Sequence, residues 1–176
     1  MMSLEARDRY RTSFIIGGIA IAAGLLSLLT LGAYRVAGSS MEPTLHNGEY
    51  IVIEKVSYTL RRPQRGDVLV FSDHQDPSND YIKRLIGLPG DTIEVVDDCL
   101  FVNHHAMIEP YLKTLTLASF PARTLGHDEY FTLGDNRSHS RDSRSFGSIT
   151  RKDIIGRAWI VYQPPLRLGL APHYIF

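Results

Sequence analysis

Cysteine is almost absent from this 176-residue sequence, which contains Cys99 alone. One cysteine cannot form an internal disulfide, and the seven histidines are scattered rather than grouped with it, so a structural zinc site is not expected. An excess of charge of one sign is also missing, because 19 basic residues balance 19 acidic ones. No overall electrostatic field therefore favours nucleic acid, and we predict neither a metal site nor a nucleic-acid partner.

Long apolar runs are scarce too, and the single one extends from Phe14 to Ala33 without a charge. An α-helix needs about 20 apolar residues to cross the hydrocarbon core of a bilayer. We therefore predict a transmembrane helix over residues 14–34, preceded by a polar flank over residues 1–13. The alternative is a cleaved signal peptide, whose apolar region is normally about 7 to 15 residues long.

The basic residues around this run predict its orientation. Arg7, Arg9 and Arg11 precede it, whereas Arg35 alone follows it immediately. The positive-inside rule then places the N-terminus in the cytoplasm. We therefore expect a single-pass protein of the plasma or inner membrane, in which residues 35–176 form an extracytoplasmic domain.

Long amphipathic helices are missing from that domain, which consists instead of short β-rich runs separated by turn residues. The fold class predicted is mainly β, an antiparallel β domain with a small insertion at about residues 98–128. Leu88-Pro89-Gly90-Asp91 suits a type II turn and predicts a hairpin. The predicted strands are Tyr50–Val56, Asp67–Phe71, Tyr81–Leu88, Thr92–Val96, Cys99–Val102, Tyr130–Leu133 and Gly156–Tyr162.

Two side chains are candidates for chemistry. Ser40 lies between the apolar run and the first predicted strand, but a serine hydroxyl needs a base before it can attack at neutral pH. Lys83 shares a strand face with Tyr81 and Leu85, and apolar neighbours lower a lysine's pKa towards the range of a useful base. Taken alone, each has an ordinary explanation: Ser40 as a turn residue and Lys83 as a solvated strand residue.

The block from Gly134 to Gly147 is dense in small, hydroxylated and charged residues. It is typical either of a solvated loop or of a shell that orients a catalytic side chain. A Ser-His-Asp triad using His139 with Asp135 or Asp142 is a further option, although the spacings alone do not indicate one.

Four stretches together resemble the type I signal peptidases, which are membrane-anchored serine proteases with a Ser/Lys dyad. Their order and spacing also match, and four ordered motifs are far more specific than one. The stretches are Ser40-Met41-Glu42-Pro43-Thr44-Leu45, Gly66-Asp67-Val68-Leu69-Val70-Phe71, Tyr81-Ile82-Lys83-Arg84-Leu85-Ile86-Gly87-Leu88-Pro89-Gly90-Asp91 and Gly134 to Gly147.

The resemblance implies a role for each site residue. Ser40 is implied as the nucleophile, Lys83 as the general base, and Ser140 as a hydroxyl that hydrogen-bonds and positions the lysine. The ion-pair residues implied to brace the site are Asp142, Arg144, Asp135 and Arg84. Some relatives carry a hydroxyl residue where this chain has Gly38. The backbone N–H of Ser40 is then the clearest oxyanion donor, with Gly38 as a further candidate.

The function implied is removal of signal peptides from secreted preproteins at Ala-x-Ala sites, with no metal or cofactor. The lipid bilayer is the second expected partner, and Met41 and Leu45 are expected to dip into its interface. Three alternatives stay open: a self-cleaving repressor-type autoprotease, a membrane-anchored β module without catalysis, and a specialised relative that processes pilus or conjugation components.

Overall fold

The structure is a computed structural model that describes residue 18 and residues 30–73, 76–112, 119–163 and 167–173. Its strands, in chain order, are β1 (Leu31–Arg35), β2 (Tyr50–Glu54), β3 (Val68–Asp73), β4 (Asp76–Gly87), β5 (Thr92–Val96), β6 (Cys99–Val102), β7 (His105–Ala106), β8 (Phe120–Thr124), β9 (Phe131–Leu133), β10 (Ile154–Gln163) and β11 (Arg167–Leu170). All of the pairings between them are antiparallel. The predicted mainly β fold class is confirmed.

Seven of the strands form the larger sheet, in the order β1-β2-β10-β3-β4-β9, with β11 also paired to β10. Burial alternates along β2, where Ile51 and Ile53 face the core and Tyr50 faces outwards, as expected of a strand with one solvated side. In β3, by contrast, the four residues from Val68 to Phe71 are all buried. This central position carries the neighbouring strand β4, and with it Lys83, into the interior.

The smaller sheet has four strands in the order β7-β6-β5-β8. Strand β5 of this sheet precedes the predicted insertion at about residues 98–128, and β6, β7 and β8 lie within it. Leu88-Pro89-Gly90-Asp91 does form the predicted turn, in which the Asp91 N–H donates to the Leu88 carbonyl and Gly90 has a φ of 87°. The predicted hairpin is wrong, because β4 and β5 belong to different sheets and β5 pairs with β6 and β8.

Helices are few and short in the described part of the chain. They are the α-helices α1 (Ser57–Leu60) and α2 (Ser143–Phe146) and two 3-10 turns, Arg137–His139 and Arg151–Asp153. The Asp142 side chain accepts a hydrogen bond from the Arg144 N–H and so caps α2. These turns flank the strand ends rather than covering a sheet, which leaves the positioning of the side chains to the two sheets.

The predicted membrane span meets the structure at its C-terminal end. Leu31–Arg35 is strand β1, which pairs with β2 from Leu31 opposite Glu54 to Arg35 opposite Tyr50. The prediction of a helix is therefore wrong for residues 31–34, which form a strand. A strand is favoured there because its backbone groups complete the sheet edge. Gly18 and Thr30 are helical, and the other predicted helix residues lie outside the described residues. None of the helices within the described ranges has the length and apolar character that a bilayer crossing requires.

Met41 and Leu45 lie in the core and not at the surface. Their exposed fractions are 1% and 0%, and they pack with Ile51, Ile53 and Val70. The expectation that they dip into a membrane interface is therefore wrong. Their burial anchors the segment that follows β1 to the large sheet.

Candidate active site

The segment between β1 and β2 presents Ser40 and is held at both ends. The Val36 N–H donates to the Glu49 carbonyl, and the Gly48 N–H donates back to the Val36 carbonyl at 2.9 Å. Gly38 has a φ of 90°, a conformation that residues with a Cβ rarely adopt, and it turns the chain into the serine. Ser40 is therefore presented by a short, fixed loop.

Lys83 reaches Ser40 from the middle of β4. Its Nζ lies 2.8 Å from the Ser40 Oγ and 2.8 Å from the Ile82 carbonyl oxygen, and both act as hydrogen-bond acceptors. Lys83 lies opposite Leu69 of β3 and is 3% exposed. Two residues 43 positions apart in the chain are thus brought into direct contact.

Burial changes the chemistry of this lysine. Desolvation disfavours the ammonium form and lowers the pKa of Lys83 to about 8, although the negative charges of Asp142 and Asp135 act in the opposite direction. A neutral amine can accept the proton of the neighbouring hydroxyl. The Ser40 hydroxyl is therefore hydrogen-bonded to an amine whose lowered pKa makes it a candidate base.

Asp142 and Arg144 form the first of two ion pairs behind the lysine. The Arg144 Nε donates to Asp142 Oδ1 and its Nη2 donates to Oδ2, both at 2.8 Å, and Asp142 is fully buried. Asp142 Oδ2 also accepts from the Gly134 N–H at 3.0 Å. This carboxylate therefore ties α2 to the end of β9.

Arg84 and Asp135 form the second ion pair, and both side chains are fully buried. Arg84 Nε donates to Asp135 Oδ1 at 2.9 Å and Nη2 donates to Oδ2 at 2.7 Å, which is a bidentate contact. The guanidinium also donates to the Gly66 carbonyl and lies 4.1 Å above the Tyr111 ring centre. Arg84, which follows Lys83 in β4, thereby contacts three other segments of the chain, at Asp135, Gly66 and Tyr111.

The predicted contact between Ser140 and Lys83 is not made. Ser140 Oγ is buried and has no hydrogen-bond partner within the described part of the chain. Its side chain instead lies against Gly134, where a Cβ would come within 2.5 Å of the Ser140 Cβ. The serine is close to the site, but it packs there rather than donating to the lysine.

The histidine alternative is also wrong in this structure. His139 is exposed, and its Nδ1 lies 2.9 Å from the hydroxyl of the adjacent Ser138. Asp135 and Asp142, its proposed partners, are bound to arginines. The only base in contact with Ser40 among the described residues is therefore Lys83.

A cavity of about 300 Å³ opens beside the Ser40–Lys83 pair. It is lined by two stretches of chain, Tyr34 to Ala37 at the end of β1 and Asn79 to Lys83 in β4, together with the apolar residues Ile51 and Val70. The cavity is therefore a cleft lined in part by two strands, and the Ser40–Lys83 pair belongs to its lining.

A comparison with protein families matches residues 9–163 of this chain to the model described as signal peptidase, peptidase S26. The chain belongs to the S26 signal peptidase family. Membership confirms the resemblance found in the sequence, and it makes the chain an enzyme, a peptidase.

Individual relatives agree with the family match. A probable signal peptidase I-2 of Synechocystis sp. is 35% identical over 161 residues, which cover 89% of this chain and 73% of that protein. A signal peptidase IB of Staphylococcus aureus is 34% identical over 169 residues, covering 83% of this chain and 87% of that protein. The crystal structure of a signal peptidase I from Enterococcus faecalis is 33% identical with a TM-score of 0.51, covering 55% of this chain and 97% of that one.

Two site residues of this S26 peptidase were not predicted from the sequence. The Asn136 N–H donates to the Ser40 carbonyl at 3.0 Å, and its side-chain amide donates to the Ser39 carbonyl. Gly134 leaves room for that contact, because a Cβ there would lie 2.5 Å from the Ser40 carbonyl oxygen. Both residues lie in the Gly134 to Gly147 block that the sequence singled out. They were missed because Asn136 supports the backbone and Gly134 acts by lacking a side chain, and neither property is typical of a catalytic residue.

The two candidate oxyanion donors of this peptidase differ in what they bind. The Gly38 N–H donates to the Asn47 side-chain oxygen at 3.0 Å. The Ser40 N–H has no hydrogen-bond partner in the segments that the structure describes. Of the two N–H groups, that of Gly38 is therefore already bound to Asn47, whereas that of Ser40 has no competing partner among the described residues.

Proposed function

We propose that this enzyme is a membrane-bound serine endopeptidase that removes N-terminal signal peptides from exported preproteins by means of a Ser40/Lys83 dyad. The single observation that carries the proposal is the 2.8 Å contact between Lys83 Nζ and Ser40 Oγ, both of which line the cleft. The substrate class is inferred from the relatives, which are named signal peptidases. The role of Lys83 as the base is inferred from its burial, which lowers its pKa.

The first chemical step is acylation of the serine. Neutral Lys83 takes the Ser40 proton as the oxygen attacks the carbonyl carbon of the scissile peptide bond. The tetrahedral oxygen accepts a hydrogen bond from the Ser40 N–H. When the intermediate collapses, the C–N bond breaks, Lys83 returns the proton to the leaving amine, and the signal peptide remains as an ester on Ser40.

The second step is hydrolysis of that ester. Water loses a proton to Lys83 and attacks the acyl carbon, and the C–O bond to Ser40 breaks as the serine recovers its proton. The signal peptide leaves as a carboxylate. The ion pairs of Asp142 and Asp135 keep the lysine in place through both steps, because each fixes a chain segment that contacts the Ser40–Lys83 pair.

The cleft suits an extended substrate with small side chains. An extended peptide in the cleft would exchange main-chain hydrogen bonds with the lining strands, and its side chains would point alternately to the lining residues Val70 and Ile51 and out to solvent. Val70 and Ile51 are apolar, and an apolar lining suits small apolar side chains such as alanine. This geometry supports cleavage after Ala-x-Ala.

The membrane location is part of the same proposal. The charge-free run from Phe14 to Ala33 leads into β1, and β1 leads within five residues to Ser40. A substrate whose own apolar segment lies in the bilayer would then meet the serine close to the membrane surface. The catalytic domain lies on the extracytoplasmic side, opposite the arginines at positions 7, 9 and 11.

The test compares cleavage of a preprotein with an Ala-x-Ala site by the wild type, by Lys83→Ala and by Lys152→Ala, all full-length in detergent. Lys152 is exposed, so its variant controls for loss of a lysine elsewhere. We expect cleavage by the wild type and by Lys152→Ala and a loss of at least about a hundredfold in Lys83→Ala. Wild-type rates in a folded Lys83→Ala protein would refute the dyad.

A further inference from the structure

A second cavity, of about 410 Å³, lies where α1 meets the loop before β9. Three arginines line it: Arg61 and Arg62 at the end of α1, and Arg151 in the 3-10 turn before β10. Neither Ser40 nor Lys83 lines it. The cavity is therefore distinct from the catalytic cleft, and the reaction described above does not use it.

One aromatic ring holds two of these guanidinium groups. The Tyr58 ring centre lies 5.2 Å from Arg61 Cζ and 5.5 Å from Arg151 Cζ. Arg151 Nη2 also donates to the Tyr58 carbonyl at 2.6 Å, and Arg61 is paired with the buried Asp67. The two cations are thus fixed in position, although like charges repel each other.

The cavity keeps an excess of positive charge. Arg61 is balanced by Asp67, but Arg62 and Arg151 make no ion pair among the described residues. Burial and the negative charge of Asp128 raise the pKa of Tyr130, and the positive charges of Arg151 and Arg62 act against that rise, so these three charged groups lie near the phenol. The acidic side chain lining the cavity is Asp128, whose Oδ1 accepts a hydrogen bond from the Arg151 backbone N–H at 3.3 Å.

Guanidinium groups with unused donors are well suited to a phosphate group, whose oxygens accept paired N–H hydrogen bonds. The position of the cavity indicates where that phosphate comes from. The Lys55 N–H donates to the carbonyl of Thr30, which belongs to the charge-free run predicted to be the membrane anchor. Arg61 is six residues further on, so it lies within roughly 22 Å of Lys55.

Exposed apolar side chains accompany the arginines on this segment. Leu60, next to Arg61, is 85% exposed, and Val56 is 39% exposed. Apolar side chains flanked by basic ones are typical of a surface that lies in the headgroup region of a bilayer. We propose that the Arg62–Arg151 cavity binds the phosphate group of an anionic phospholipid beside the membrane anchor.

This inference rests on the membrane anchoring in the proposed function for the source of the phosphate, but not on the dyad. The test titrates the full chain, in an uncharged detergent, with short-chain phosphatidylglycerol, short-chain phosphatidylcholine and inorganic phosphate, and measures binding by calorimetry. The variants are Arg62→Gln and Arg151→Gln, with Lys152→Gln as the matched control, since Lys152 follows Arg151 in the chain but does not line the cavity. Cleavage of a signal peptide substrate is measured in parallel.

We expect saturable binding of phosphatidylglycerol, tighter than that of phosphatidylcholine. Each arginine variant should weaken it about fivefold, the usual contribution of one basic side chain near an anionic lipid, and Lys152→Gln should change it less than twofold. Cleavage by Arg62→Gln should stay at the wild-type rate, which separates failure of this cavity from failure of the dyad.

Three results would overturn the proposal. If phosphatidylglycerol does not bind, or if Lys152→Gln weakens it as much as Arg151→Gln does, the cavity is not a lipid site. If inorganic phosphate binds as tightly as phosphatidylglycerol, the cavity is a free phosphate site. Because Arg151 also supports Tyr58, Arg62→Gln is the decisive variant should Arg151→Gln fold poorly.

Discussion

The pH dependence of cleavage should report the ionisation of Lys83. In the proposed mechanism only the neutral amine accepts a proton from Ser40, so kcat/KM should rise tenfold for each pH unit below the pKa and level off above it. With the pKa lowered to about 8 by burial, the rise should end near that pH. An unburied lysine would place it near 10.5.

The size of the effect follows from these two pKa values. At pH 7, a pKa of about 8 leaves roughly one molecule in ten with a neutral lysine, whereas a pKa of 10.5 would leave about one in three thousand. Burial therefore increases the competent fraction about three-hundredfold at that pH. A rate advantage of this size is easily measured.

The assay is the initial rate of peptide cleavage from about pH 6 to pH 10 for the wild type, Asp142→Asn and Asp97→Asn. Asp142 raises the pKa of Lys83, so removing its charge should move the rising limb to lower pH. Asp97 is exposed and has a φ of 48°, which asparagine also tolerates, so Asp97→Asn should not move the limb. A limb near pH 6.5, where histidine titrates, or one that does not move in Asp142→Asn would refute the assignment of the limb to Lys83.

The remaining predictions concern stability and packing. Lys83→Met should stabilise the fold by about 3 kcal/mol below pH 8, because the wild-type native state buries a charged lysine there. This gain should vanish between about pH 8 and 10.5, as the lysine of the unfolded chain also becomes neutral. If the burial of the charge costs nothing, thermal unfolding will show the same effect of the substitution at pH 7 and at pH 10. Gly134→Ala should destabilise by about 1 to 3 kcal/mol and reduce cleavage, because the new Cβ meets the Ser40 carbonyl, whereas Gly169→Ala, with nothing within 4 Å, should do neither. Arg84→Gln should lower the free energy of unfolding in urea by about 3 to 5 kcal/mol, because it leaves Asp135 buried and unpaired. The control Arg123→Gln, whose arginine side chain is 41% exposed, should lower it by less than about 1 kcal/mol. Equal losses in the two variants would contradict the account of the buried pair.

Strands with a strong local pattern could be predicted from the sequence. Thr92–Val96 and Cys99–Val102 have the predicted bounds, since β-branched and apolar residues predominate there between clear turn residues. β1 was hidden because Leu31 to Tyr34 continue an apolar run, and its pairing with β2 is a tertiary contact that periodicity does not register. Which sheet a strand joins is likewise decided by partners distant in the chain, and the turn at Leu88–Asp91 was therefore found while its hairpin was not.

The site was predictable where chemistry requires a particular side chain. Ser40 and Lys83 were named as a pair, and the structure brings them into contact. Ser140 was assigned a hydrogen bond to the lysine, but the structure packs its side chain against Gly134 instead. Asn136 was missed because it hydrogen-bonds to backbone carbonyl groups, and the identity of a residue does not predict which carbonyls it will contact.

The convergence of three segments at Gly134 also determines when this enzyme can first work. The loop that carries Ser40 is completed only when Asn136, 97 positions beyond Ser39, has docked against it. A chain emerging from its N-terminus therefore exposes the serine long before its support exists. Proteolytic activity should then begin only after most of the domain has been synthesised. An incomplete chain would therefore be unable to cleave itself or its neighbours during synthesis.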